Sequence, residues 1–217
     1  SDNNGVFVFD SDEDVSATLP NFNLPEGCDR LLVVTVNWVS IPTDNGADMV
    51  TGITYDGQNL IHAVTESEIF FATNFYASIW YLPLGSGCLF SDPTGTNADI
   101  VVSFNNSTTS IVYVGASSFQ NVDQISPIGN TATATGAGAA SLNLTAAMNN
   151  MGVDAIMAGS TVTADASQTM IYSDPGSGSS SSYESVSGTS VSMDWTQTSP
   201  VPFAQAAVEL VNCAGCV

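Results

Sequence analysis

Apolar and polar residues alternate with a period of two along most of the chain. In "SVSMDW", Val191, Met193 and Trp195 fall on one face of an extended strand, and Ser190, Ser192 and Asp194 on the other. "ADIVVSF" places Ile100, Val102 and Phe104 on one face in the same way. In "GITYDGQNL", Asp56-Gly57 supplies the two positive-φ positions of a type I′ turn, which predicts a hairpin between Ile53–Tyr55 and Gln58–Ile61. Further strands are predicted at Val6–Phe9, Leu31–Trp38, His62–Glu66, Phe75–Leu82, Ser110–Phe119, Thr131–Thr135, Ala140–Thr145, Gly152–Gly159, Thr169–Tyr172 and Phe203–Val211.

No long stretch combines helical spacing of apolar residues with strong helix formers. A succession of short strands separated by Gly, Pro, Asn and Asp predicts an all-β fold, an antiparallel two-sheet β-sandwich of jelly-roll type. The low-complexity tract "SDPGSGSSSSYES" (173–185) reads as a mobile loop within that fold. No internal repeat of fixed period is visible.

Charge narrows the function. The 217 residues hold one basic side chain, Arg30, against 21 acids, a formal net charge of −20. A nucleic-acid partner requires clustered Lys and Arg, and so does an anionic membrane surface; both are excluded as partners. Only 10% of residues are charged, so Ser, Thr, Asn and Gly must cover the surface. Such a chain fits a saline exterior containing divalent cations. Apolar runs are far shorter than the ~20 residues of a spanning helix, so no membrane insertion is expected. The chain begins at Ser1 without Met; a secreted protein whose leader has been removed would begin so, and so would a piece cut from a longer chain.

Three stretches, "GITYDGQNL", "ASIWYLPL" and "VGASSFQNVDQISPIG", resemble a module found in secreted and surface proteins of bacteria. The recurring features of that module are V-T-Y-x-G-x-x-L, WYL and SF-x-x-V-D-Q-x-x-P-I. Here they fall at Ile53–Leu60, Trp80–Leu82 and Ser118–Ile128, and with the later strands the likeness spans roughly residues 30–211. The resemblance implies a β-sandwich on the cell exterior and brings no catalytic residues with it. Residues 1–29 then form an N-terminal extension, and 30–217 a sandwich closed by a Cys-rich tail.

Four cysteines in an exported chain favour two disulfides. A redox reading of Cys213 and Cys216 lacks the helix that would lower the thiol pKa, since only Val217 follows. A zinc reading lacks a second Cys-x-x-Cys. The expectation is a double staple, with Cys28 and Cys88 each bonded to one of Cys213 and Cys216. It rests on strands Leu31–Trp38 and Phe203–Val211 being antiparallel neighbours.

"FDSDEDV" spaces Asp10, Asp12 and Asp14 so that they share a strand face or wrap a cation, and calcium is the cation that clustered carboxylates favour. The competing reading is a solvated acidic edge that discourages wrong strand pairing. Glu66 and Glu68 share a face but lack the longer acid series of jelly-roll glucanases, and His62, the one histidine, has no nucleophile elbow beside it. The chain is therefore not read as an enzyme. Trp38, Trp80 and Trp195 are read as core rather than as a sugar-stacking platform.

Val6, Phe7, Val8 and Phe9 are apolar on both faces of a strand, which must therefore be covered on both sides. Either they form a central strand of their own sandwich, or they are donated to a neighbouring subunit, which repeated head to tail makes a homopolymer. The functional expectation is an extracellular structural or assembly protein, the subunit of a surface filament joined by strand donation. The alternative is a calcium-assisted carbohydrate-binding or adhesive module that meets surface glycans.

Overall fold

A computed structural model describes residues 9–10, 16–40, 50–71, 73–85, 97–105, 111–174 and 176–213. The strands in chain order are β1 (Phe9–Asp10), β2 (Ser16–Phe22), β3 (Leu31–Ser40), β4 (Val50–Tyr55), β5 (Gln58–Asn59), β6 (Ile61–Phe70), β7 (Thr73–Pro83), β8 (Ala98–Phe104) and β9 (Val112–Phe119). They continue as β10 (Ile128–Ala137), β11 (Ala140–Thr145), β12 (Met151–Ala158), β13 (Val162–Ala164), β14 (Thr169–Asp174), β15 (Ser179–Ser185), β16 (Ser190–Gln197) and β17 (Pro202–Leu210). Every strand pair is antiparallel, and the described residues contain no helix.

The all-β expectation is met, but four sheets form where two were expected. Sheet I has the order β2-β8-β4-β5, sheet II β1-β9-β3-β7-β6, sheet III β10-β17-β12-β15-β14 and sheet IV β11-β16-β13. They stack in that order. One core joins sheets I and II through Leu19, Ile100, Val34 and Trp38. A second joins II and III through Val33, Ile79, Ala155 and Val208. Two smaller cores join III and IV through Leu144, Met193, Ile156 and Trp195. Sheets II and III are thus covered on both faces. This is why β3 reads "LLVVTVNWV" without alternation: Leu32, Val34, Val36 and Trp38 face one core, Leu31 and Val33 the other.

The two halves of the chain have one topology. Replacing β1, β2, β3, β4, β6, β7, β8 and β9 by β10 to β17 in order turns sheet II into sheet III and sheet I into sheet IV, with β5 the one addition. The likeness extends to irregularities. The β6–β7 ladder shifts register between His62 and Val64, opposite Trp80 and Ile79. The β14–β15 ladder shifts between Met170 and Tyr172, opposite Ser182 and Ser181, which hold the equivalent places beside β12. Asp29 and Asn149, each two residues before its half's central strand, both have positive φ, 47° and 71°. Phe119, Met151 and Leu210 border one cavity and Val39, Ile111 and Met157 another, so β3 and β12 run the same way and the halves face each other about an axis along the strands.

Two further expectations change. The segment read as an N-terminal extension supplies β2, and Ala17, Leu19, Phe22 and Leu24 belong to the first core. The tract read as a mobile loop supplies β15, and Ser179 to Ser182 are wholly buried between β12 and β14. Their small hydroxyls fit a strand covered on both faces because each has a partner. Ser179 meets Tyr172 Oη (2.9 Å), Ser180 donates to Ser173 (3.0 Å), Ser181 to the Asp154 carbonyl (2.6 Å) and Ser182 to the Asp154 carboxylate (2.6 Å).

Candidate functional site

The N-terminal strand docks on a sheet edge. β1 pairs with β9, Phe9 opposite Tyr113 and Asp10 opposite Val112. Val6, Phe7 and Val8 lie outside the described residues. The equivalent strand of the second half, β10, runs along β17 from Thr131 opposite Val208 to Ala137 opposite Pro202. Each half therefore opens with an edge strand laid against that half's own last strand.

The two edges differ at one end. In the second half Glu209 accepts hydrogen bonds from Asn130 N and Nδ2 (2.9 Å each), Ala147 N (2.7 Å) and Asn150 Nδ2 (2.6 Å). Burial alone would raise its pKa, but these four donors hold it below the ordinary carboxylate range. These bonds hold Asn130 where the β10–β17 ladder shifts register between Ile128 and Thr131. The residue of β9 equivalent to Glu209 is Ser118, whose buried Oγ has no hydrogen-bond partner. At the other end of β9, Tyr113, Ile111, Val39 and Met157 border an open cavity of about 440 Å³ between sheets II and III.

Cys28 and Cys213 are both disulfide-bonded, and no described cysteine is free. They meet at Asn121, whose N–H donates to the Cys28 carbonyl (3.0 Å) and whose carbonyl accepts from Cys213 N (2.8 Å). The expected route is corrected: β3 and β17 belong to different sheets, and the cysteines converge because those sheets lie face to face. Cys88 and Cys216 lie outside the described residues.

Asp12 and Asp14 also lie outside them, and of Asp10 only the backbone is described. Among the described residues no three His, Cys, Asp or Glu side chains converge to hold a metal ion. Glu66 and Glu68 sit on edge strand β6, and the Glu66 carboxylate accepts from Ser67 N (2.8 Å). His62 Nε2 bonds Thr65 Oγ1 (2.7 Å), which donates to Ser78 Oγ (2.9 Å). That chain of hydroxyls holds no carboxylate.

Trp38, Trp80 and Trp195 are buried. Among the described residues the exposed aromatic pair is Phe70 and Phe71, edge to face at the β6–β7 turn. Phe71 is 88% exposed at φ 54°, a conformation that a bulky side chain rarely adopts. Among the described residues the exposed large hydrophobics include Ile69, Phe70 and Phe71 at the β6–β7 turn, Ile111 just before β9, Ile61 at the start of β6, and Ile125 and Met148 between strands. Among the described residues no helix is long and apolar enough to cross a membrane.

No family model, no curated protein and no solved structure matches the chain.

Proposed function

We propose that the protein is an extracellular structural subunit that assembles into a homopolymer by lending its N-terminal strand to a neighbour. The observation that carries the reading is the pairing of Phe9 and Asp10 with the outer edge of β9. That edge accepts an antiparallel strand, and backbone pairing of this kind is indifferent to whether the strand belongs to the same chain or another. A terminal strand at a sheet edge is the element whose exchange disturbs a fold least. We read each facing pair of sheets as one sandwich, so that the chain is two sandwiches back to back.

The location follows the same reasoning. Disulfide-bonded Cys28 and Cys213 suit an oxidising exterior. A chain with one cation and 21 acids suits a medium that supplies counterions. Calcium at Asp10, Asp12 and Asp14, directly after the lent strand, belongs to the proposal as the ion that would neutralise three acids at a subunit junction. The alternative, an adhesive or glycan-binding module, has as its aromatic surface only Phe70 and Phe71 among the described residues, since the tryptophans are core.

Deleting residues 1–10 tests the reading. The full chain should form filaments visible by negative-stain microscopy, and the shortened chain should melt cooperatively and stay monomeric. Filaments from the shortened chain, or a full chain that stays monomeric at every concentration with calcium present, would overturn it.

A further inference from the structure

We propose that the cavity of about 440 Å³ between sheets II and III binds a small molecule with an apolar body and a cationic amine head. The volume lies within the range of about 300–1,000 Å³ usual for small-molecule sites. The site is independent of how the chain assembles.

The cavity arises from a difference between the two halves. In the first half Val39 stands opposite Phe75 where β3 pairs with β7. With the β12–β15 ladder continued past Met157 and Ser179, the equivalent places in the second half belong to Gly159 and Ser177. A valine and a phenylalanine thus correspond to a glycine and a serine, and all four border the cavity. The smaller pair leaves room between the sheets at this end.

The lining divides by chemistry. Val39, Phe75, Ile111 and Met157 offer apolar surface. Tyr113, Ser177 and Asp174 form a polar group: the Tyr113 hydroxyl bonds the Ser177 side chain and lies within electrostatic range of Asp174. Asp174 follows Tyr172 by two residues on β14, so its side chain leaves the strand toward sheet II, as that of Tyr172 does. An aromatic or aliphatic body fits the first group, and a hydrogen-bond donor the second.

Charge selects the head group. Asp174 is the one acidic residue among the described lining residues, and its Oδ1 accepts a long bond from Gly176 N, 3.3 Å. The one basic side chain, Arg30, precedes β3, whose far end carries Val39. Arg30 therefore cannot pair with Asp174, and a cation there is a ligand's. A net charge of −20 attracts a cationic ligand and repels an anionic one.

Titration with phenethylamine tests the site, read by the methyl NMR signal of Met157. Phenethyl alcohol and phenylacetate, of similar size, serve as the neutral and anionic probes. The amine should give a saturable shift and bind about tenfold more tightly than the alcohol, with phenylacetate weakest. Asp174→Asn should bring the amine to the affinity of the alcohol. Ser177→Phe, which places there the residue type found at position 75, should fill the cavity and abolish binding of all three. Thermal melting checks that each variant folds; should Ser177→Phe not fold, Asp174→Asn carries the test, because it keeps the volume. The alcohol or phenylacetate binding as tightly as the amine would overturn the cationic ligand. Amine binding unchanged in a folded Ser177→Phe chain would overturn the cavity as its site. No saturable shift with any probe would overturn the proposal outright.

Discussion

Trp195 Nε1 donates to Asp154 Oδ2 at 2.6 Å, tying sheet IV to sheet III through a carboxylate that has no access to solvent. Gln205 Nε2 donates to the same oxygen at 2.8 Å, and Ser182 donates to Oδ1 through its hydroxyl and its N–H. Burial raises the Asp154 pKa to about 6 against the pull of these donors. Arg30, the one basic residue, belongs to the first half and donates to the Pro25 carbonyl instead. The polar cluster joins β12, β15, β16 and β17 where the surrounding core is apolar.

A pH dependence follows. The folded pKa lies above the unfolded value of roughly 3.9, so the folded chain holds a proton that the unfolded chain releases between the two. Stability from this group is fully present below that unfolded value and is lost as pH rises through about 6. Urea denaturation of the native chain and of Asp154→Asn should show a stability gap that shifts in favour of the native chain from pH 7 to pH 5. A gap independent of pH would mean that Asp154 titrates alike in both states.

At Gly115 the two halves are in close contact. A Cβ there would lie 2.2 Å from the Tyr172 ring and 2.9 Å from Thr35 Oγ1. Tyr172 cannot swing aside without losing Asn37 Nδ2, 2.6 Å from its hydroxyl, and Ser179. Gly115→Ala should destabilise the chain by about 1–3 kcal/mol or more by overpacking. Equilibrium unfolding in urea measures it; an unchanged midpoint would show that sheets II and III separate freely at this point.

Much of the local structure is legible in the sequence. The alternation in "SVSMDW" places Val191, Met193 and Trp195 inside, as β16 confirms, and Ile100, Val102 and Phe104 of β8 are likewise buried. Asp56 and Gly57 both take positive φ, as the I′ turn requires. What stays hidden is the stacking. Alternation reports one covered face, and the two middle sheets have two. "LLVVTVNWV" carried that signal in its lack of alternation. Ser179–Ser182 concealed it, because serine in a doubly covered strand looks like serine in a loop until its hydroxyl partners are known. The repeat is hidden for a similar reason. Equivalent positions such as Val34 and Asp154, or Ser118 and Glu209, keep the backbone geometry while exchanging an apolar or small group for a carboxylate. The pairing of Phe9 and Asp10 with β9 could not be foreseen from Val6–Phe9 alone, since a stretch apolar on both faces does not say which strand it lies beside.

The account stands or falls on whether the β9 edge accepts the N-terminal strand as a separate piece. A fluorescent peptide of residues 1–10 should therefore be titrated, by anisotropy, into the chain shortened to begin at Ser11. The account predicts saturable binding of one peptide per chain and a higher melting temperature for the bound form, since a ligand that binds only the folded state stabilises it. It also predicts weaker binding when Phe7 and Phe9 of the peptide are replaced by Ser. A folded, shortened chain that neither binds the peptide nor gains in melting temperature would contradict it.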